Sequence, residues 1–211
     1  MYDPLEMTDL REYPKEVAMR DGSRVWLRPM TKDDGERVFS FFKALPEKDR
    51  RYFKHDVSRR STIDAWCEGL NYDLTLPILA VTHRGNKDKV VANGTLHSEL
   101  HGWSTHVARI RLQVHPDFRL LGLGQAMLRE LCDRAAMRGV GKIQALVRAD
   151  NIEGLRLMKK LGFRKEGTFK NHAITKQGAR HDVAILFQDL EDLWKRMEDL
   201  NMDLDTPTFL P

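Results

Sequence analysis

Val25 and Leu27 in "SRVWLRPM" alternate with polar neighbours and the run stops at Pro29, the pattern of a half-buried strand. The next stretch, "TKDDGERVFSFFKAL", changes period. Val38, Phe41, Phe42 and Leu45 recur at helical spacing, with Thr31 or Asp33 as the capping residue. A shorter helix is expected from Ser61 or Thr62, carrying Ile63, Trp66, Cys67 and Leu70. Then "LPILAVTH", "VVANGTLHSEL" and "HVARIRLQV", separated by the turn-rich "RGNKDK" and "HGWST", predict an antiparallel meander.

Helical period returns at Leu123. Leu123, Met127, Leu128, Leu131 and Ala135 trace one face, Gln125, Arg129, Glu130, Asp133 and Arg134 the other, and Gly139 supplies the stop. "KIQALV" reads as a strand and "DNIEGLRLMKKLGF" as a helix, with Asp150 and Glu153 spaced as a capping box and Gly162 ending it. "RKEGTFKNHAI", the turn "TKQG" and "HDVAILFQDL" predict a hairpin, "LEDLWKRMEDL" a last helix, and "NMDLDTPTFLP" a loosely held tail. The sum is an α+β domain: one mixed, mostly antiparallel sheet flanked by helices. Its expected bounds are 21–190, after an N-terminal extension 1–20 and before a C-terminal helix and tail 191–211.

Composition narrows the class. The 211 residues suit one well-buried domain, and no run approaches the about 20 apolar residues of a membrane span. The acidic, proline-broken start carries no readable leader, so a cytoplasmic protein is expected. Cys67 and Cys132 form no metal or redox motif and read as buried thiols. The net charge of +4 comes from 35 basic and 31 acidic residues that are interspersed, which gives no footprint for nucleic acid. The exception is "EKDRRYFKHDVSRR", a solvated loop or a binding surface.

The chemistry lies in "VHPDFRLLGLGQAMLREL", where Gly122 and Gly124 stand between a strand and a helix. The first N–H groups of a helix have no intrahelical acceptor and face the positive end of its dipole, so an anion is the natural guest. Neither a P-loop nor a dinucleotide fingerprint fits, the second because Met127 stands where a third glycine is needed. What the letters do spell is R-x-x-G-x-G at Arg119, Gly122 and Gly124, after V-x-P at Val114 and Pro116, then N-x-x-G at Asn151 and Gly154 and "KKLGF" at Lys159 to Phe163. This ordered set resembles the GCN5-related N-acetyltransferase (GNAT) family from about Ala108 to Phe163. The likeness extends to the terminal hairpin and more loosely to Asp21–Glu99.

The resemblance implies that the anion is the diphosphate of acetyl-CoA, the co-substrate, held by the N–H groups of Leu120, Leu121, Gly122, Leu123, Gly124, Gln125 and Ala126, with Arg119 opening the motif as a further cofactor-binding residue. A Cβ at Gly122 or Gly124 would intrude where the phosphates approach. It further implies that the main chain of Leu112 and Val114 grips the pantetheine arm, with Asn151 reaching it from the next strand while serving, or instead serving, as a helix cap. Many relatives have a glycine where Leu120 stands, and some a glutamate in the region of Ala108 and Arg109.

The partner is then an amine acceptor, with a main-chain N–H of the Leu112–Val114 strand polarising the thioester carbonyl. Candidate bases are Glu99 and His97, with His101 and His115 also near. The family's tyrosine acid is replaced by Met158, which leaves water or His172 to protonate the thiolate. "LHSELHGWSTH" lacks a ligand spacing, so no metal is expected. The loops "PEKDRRYFKHDVSRR" and "KNHAITKQGARHD" are rich in Arg, Lys and His and favour an acceptor with a carboxylate or phosphate, solvated loops being the alternative. The leading reading is acetylation of a small metabolite amine. Protein lysine or N-terminal acetylation is the second and a non-catalytic acyl-CoA sensor the third; the family also suggests a homodimer.

Overall fold

The computed structural model describes residues 10–50, 53, 55–84, 87–175 and 178–190. The expected C-terminal helix and tail, and the centre of the "TKQG" turn, lie outside them. Eight strands make one sheet: β1 Lys15–Ala18, β2 Arg24–Pro29, β3 Thr75–Arg84, β4 Lys87–His97, β5 Val107–Val114, β6 Lys142–Arg148, β7 Arg164–Ile174 and β8 Arg180–Asp189. Their order is β1-β2-β3-β4-β5-β6-β8-β7, and every neighbouring pair is antiparallel except β5 with β6. The mixed, mostly antiparallel α+β sheet expected from the sequence is the one observed.

Helices α1 Gly35–Ala44, α2 Glu47–Arg50 and α3 Arg60–Glu68 precede β3, α4 Leu123–Met137 follows β5, and α5 Ile152–Lys160 follows β6. The apolar stripe of α4 packs with Ala108, Ile110 and Ala145 of the sheet and with Met158 of α5. On the other face, Phe41, Phe42 and Ile63 of α1 and α3 pack on Leu79, Val81 and Val90. Each such side chain contributes about 1.5–3 kcal/mol by leaving water. Cys67 and Cys132 are free and buried, and burial pushes the Cys132 thiol up to about 12, so neither is a ready nucleophile.

Strand β1, inside the segment expected as an extension, is absent from the sequence reading. With four residues, "KEVA", it carries too little alternation to be read, and it is held instead by neighbours: Tyr13 Oη and Lys15 Nζ donate to the Glu130 carboxylate of α4 at 2.5 and 3.1 Å. Of the two caps expected before α1, Thr31 is the one observed, in a capping box with Asp34, whose carboxylate accepts from the Thr31 N–H at 2.8 Å. The other capping assignment changes: helix α5 is capped by Asn151, whose Oδ1 accepts from Gly154 N–H at 3.0 Å, while Asp150 pairs with Arg148 at 2.7 Å. The basic segment between α1 and α3, read as loop, contains the single turn α2. Among the described residues no helix is long and apolar enough to cross a membrane.

Candidate functional site

The parallel pairing of β5 and β6 runs from Val107↔Lys142 to Ile110↔Ala145 and stops. Beyond it β5 stays with β4 through Val114↔Ala92, and β6 stays with β8 through Arg148↔Val183. The two strands therefore fork after Ile110. His115 N–H bonds to Val91 O at 2.9 Å. Because main-chain groups alternate sides along a strand, odd residues of β5 address β4 and the even ones, Leu112 and Val114, address the fork.

The glycine loop closes the wide end. Among the described residues, the N–H groups of residues 120–124 have no hydrogen-bond acceptor, a row of five donors at the N-terminus of α4. Gly122 makes this possible with φ 96°, and Leu120 adopts φ 62°, the conformation that the more usual glycine takes without strain. The Leu120 side chain is 79% exposed and obstructs nothing in the loop. Gln125 and Ala126 depart from expectation, since both N–H groups already bond to Gly122 O at 3.0 and 3.1 Å.

At Gly124 an added Cβ would lie 3.1 Å from Leu157 Cδ2 and 3.8 Å from Leu112 Cδ2 and Val114 Cγ2. The missing side chain lets α4 close on β5 and α5. Arg119 is engaged too: its Nε donates to Val114 O at 3.1 Å and its Nη2 pairs with Asp49 of α2 at 2.6 Å, which pins α2 beside the loop.

One cation at the loop was missed by the sequence reading. Arg20, in the β1–β2 turn, donates its N–H to Leu121 O at 3.0 Å, and its Nη1 lies 3.5 Å from Leu120 O. No carboxylate pairs with it among the described residues. The signal was unreadable because 100 residues of chain separate Arg20 from Leu120. Asn151, by contrast, stands as the sequence placed it, at the start of α5, with Oδ1 spent on the cap. Asn151→Ala is expected to cost about 1 kcal/mol in urea unfolding at pH 7.

The catalytic candidates are dispersed. His97 on β4 is opposite Arg109, its Nδ1 and Nε2 lying 3.1 and 2.9 Å from the hydroxyls of Thr75 and Thr95. Burial, and then the charges of Arg111 and Arg109, push its pKa down to about 4. Glu99 is exposed in the loop after β4 and accepts from Ser104 Oγ at 2.6 Å. His115 accepts from Asp117 N–H at 3.3 Å and caps a short turn. His172 is on β7, stacked near Phe169 with ring centroids 4.7 Å apart. β7 is the third strand from β5 in the sheet, and His172 falls in the irregular stretch between Phe169↔Val183 and Ala173↔His181. Met158 is buried in the core under α4.

The fork thus ends beside a row of helix-terminal amides, chemistry suited to an extended ligand with an anionic head. The Acetyltransferase (GNAT) domain model matches residues 24–164, and this chain belongs to the GNAT family, which uses acetyl-CoA. The bS18-alanine N-acetyltransferase of Escherichia coli K12 is 36% identical over 75 residues, 36% of this chain and 50% of that protein. The chain thus spans about half the length of the curated relatives it matches. Among solved structures, the GNAT domain of S. lividans PAT superposes with TM-score 0.68 at 18% identity, covering 83% of this chain and 96% of that one. The ribosomal-protein-S5-alanine acetyltransferase of Vibrio fischeri gives 0.68 at 14% identity, covering 78% and 92%.

Proposed function

We propose that the protein is an acetyl-CoA-dependent N-acetyltransferase that modifies the primary amine of a small metabolite, with residues 21–190 as the catalytic unit. The observation that carries this reading is the fork of β5 and β6 ending at five N–H groups that have no acceptor among the described residues. The diphosphate would take those amides together with the Arg20 guanidinium, and the pantetheine arm would lie along Leu112 and Val114. The Val114 carbonyl is already occupied by Arg119, so the arm would rely on Leu112 and the Val114 N–H. Asn151 keeps its side-chain NH2 for the arm while its oxygen caps α5.

In the reaction the neutral amine attacks the thioester carbon, the N–C bond forms, and the C–S bond breaks. The amine's proton passes to solvent, and the departing thiolate takes a proton from solvent. His97 is a poor base for this step, since a group held near 4 cannot draw a proton from an ammonium of pKa about 10. Glu99, on the exposed loop, would act only through water. His172, on the third strand from β5, is not needed as the acid, because a thiolate with an ordinary thiol pKa near ~8.5 departs without one.

The relatives named for ribosomal-protein alanine favour a second reading, acetylation of a protein N-terminus. Calorimetric titration tests the cofactor site shared by both. Acetyl-CoA should bind, and Arg20→Glu, which sets a carboxylate against the phosphates, should weaken it at least about tenfold. Equal affinity would remove Arg20 from the site. Failure of the parent protein to bind acetyl-CoA would overturn the cofactor reading itself. Binding without thiol release from any amine would favour the sensor.

A further inference from the structure

The open face of β5 carries two cations that the reading above does not use. Ala108 and Ile110 point into the core under α4, so Arg109 and Arg111 point to the opposite face, and both are exposed there. Arg111 is the first residue past the last β5–β6 pair, at the vertex of the fork, and it stands opposite Thr95. Arg109 stands opposite His97 and donates from Nε to Gln144 Oε1 at 2.9 Å. Among the described residues neither arginine has a carboxylate within ion-pairing distance, and the Arg111 side chain makes no hydrogen bond. Beyond burial, both charges lower the pKa of His97. On the same face, the Asn93 side-chain oxygen is buried with no donor among the described residues.

Two like charges held side by side without a counter-ion cost stability, and an arriving anion relieves that cost. A guanidinium matches a carboxylate with two parallel hydrogen bonds. We propose that Arg111 and Arg109 bind the carboxylate of the acceptor, and that the acceptor is an amino acid or a close analogue with its amine on the carbon next to that carboxylate. This rests on the fork being the acyl-transfer site. With the carboxylate on Arg111, the adjacent amine stands at the vertex, beside the main-chain groups of Leu112, with Asn93 Oδ1 to accept one of its hydrogens. Two cations against one carboxylate leave a net positive charge next to the amine. That charge favours the neutral amine over the ammonium, the function a nearby base would otherwise serve.

The test is thiol release by the full chain from acetyl-CoA with matched acceptors: free amino acids, their α-carboxamides, and peptides beginning with alanine. Free acids should exceed their amides by about 10- to 100-fold in kcat/KM, the range of a charged hydrogen-bonded contact. Arg111→Gln should raise KM for the acids and collapse the acid-to-amide ratio toward one, and Arg111→Lys should restore part of it. Calorimetry with free amino acids on the CoA-loaded protein reads the same contact without turnover, and Arg111→Gln should abolish that binding. Alanine peptides or amides equal to or better than acids, an equal loss for acids and amides in Arg111→Gln, or no amino-acid binding to the CoA-loaded protein would each overturn the proposal. Absence of acetyl-CoA binding would instead fail the cofactor reading on which it rests.

Discussion

Asp34→Asn is expected to cost about 3 kcal/mol and to lower the thermal midpoint by about 10 °C at pH 7. The carboxylate is fully buried between the β2 end and the start of α1. It accepts two bonds from Arg28 Nη1 and Nη2 at 2.6 and 2.7 Å, one from Thr31 N–H at 2.8 Å and one from Arg37 at 3.3 Å. An amide keeps the shape but leaves the half-buried Arg28 facing a neutral group and turns one acceptor into a donor aimed at donors. The pH dependence follows from the same contacts. Burial raises the Asp34 pKa, but the bonds from Arg28 and Thr31 outweigh it and hold the carboxyl below its ordinary value. A group depressed on folding contributes fully above its unfolded value near ~3.9 and loses that contribution as pH falls through the folded one. The gap between parent and variant should therefore close in strong acid. Scanning thermal unfolding at descending pH measures it, and a constant gap would mean that charge pairing is not what Asp34 supplies.

Where the information was local, the sequence was readable. The stripe of α4, the glycine loop and the N-x-x-G turn each depend on residues within one helix or one turn, and each appears where its spacing placed it. Strand β1 pairs with β2 nearby, but four residues of weak alternation could not announce it, and the side-chain bonds that tie it to α4 come from Glu130, more than 100 positions away. Arg119 shows the same limit in another form. Its motif position was legible, but Asp49 and the Val114 carbonyl claim its side chain, and Asp49 lies 70 residues earlier. The fork arginines were visible as letters in "VARIRLQV". Only the registers of β5 with β4 and β6 show that they share an open face at the vertex.

Gly124 allows a sharper separation between packing and ligand approach. Its absent Cβ faces Leu157, Leu112 and Val114, the apolar wall where α4, β5 and α5 meet. Gly124→Ala adds one methyl 3.1 Å from the mobile end of Leu157, a small repacking cost offset by the about 1 kcal/mol that alanine gains over glycine inside a helix. Stability should therefore change by less than about 1 kcal/mol, and acetyl-CoA affinity should stay within about threefold. Gly124→Glu must instead lodge a carboxylate in that wall or push it out through the fork, beside the diphosphate. Either route costs about 3 kcal/mol: in the wall as stability, from burying an unpaired charge, and in the fork as affinity, about 100-fold. Calorimetry of both variants, with circular dichroism to establish the folded fraction, distinguishes the outcomes. An alanine variant that remains folded yet loses acetyl-CoA as completely as the glutamate variant would mean that the phosphates pass directly over Gly124, and that the wall of Leu112, Val114 and Leu157 opens when the ligand binds.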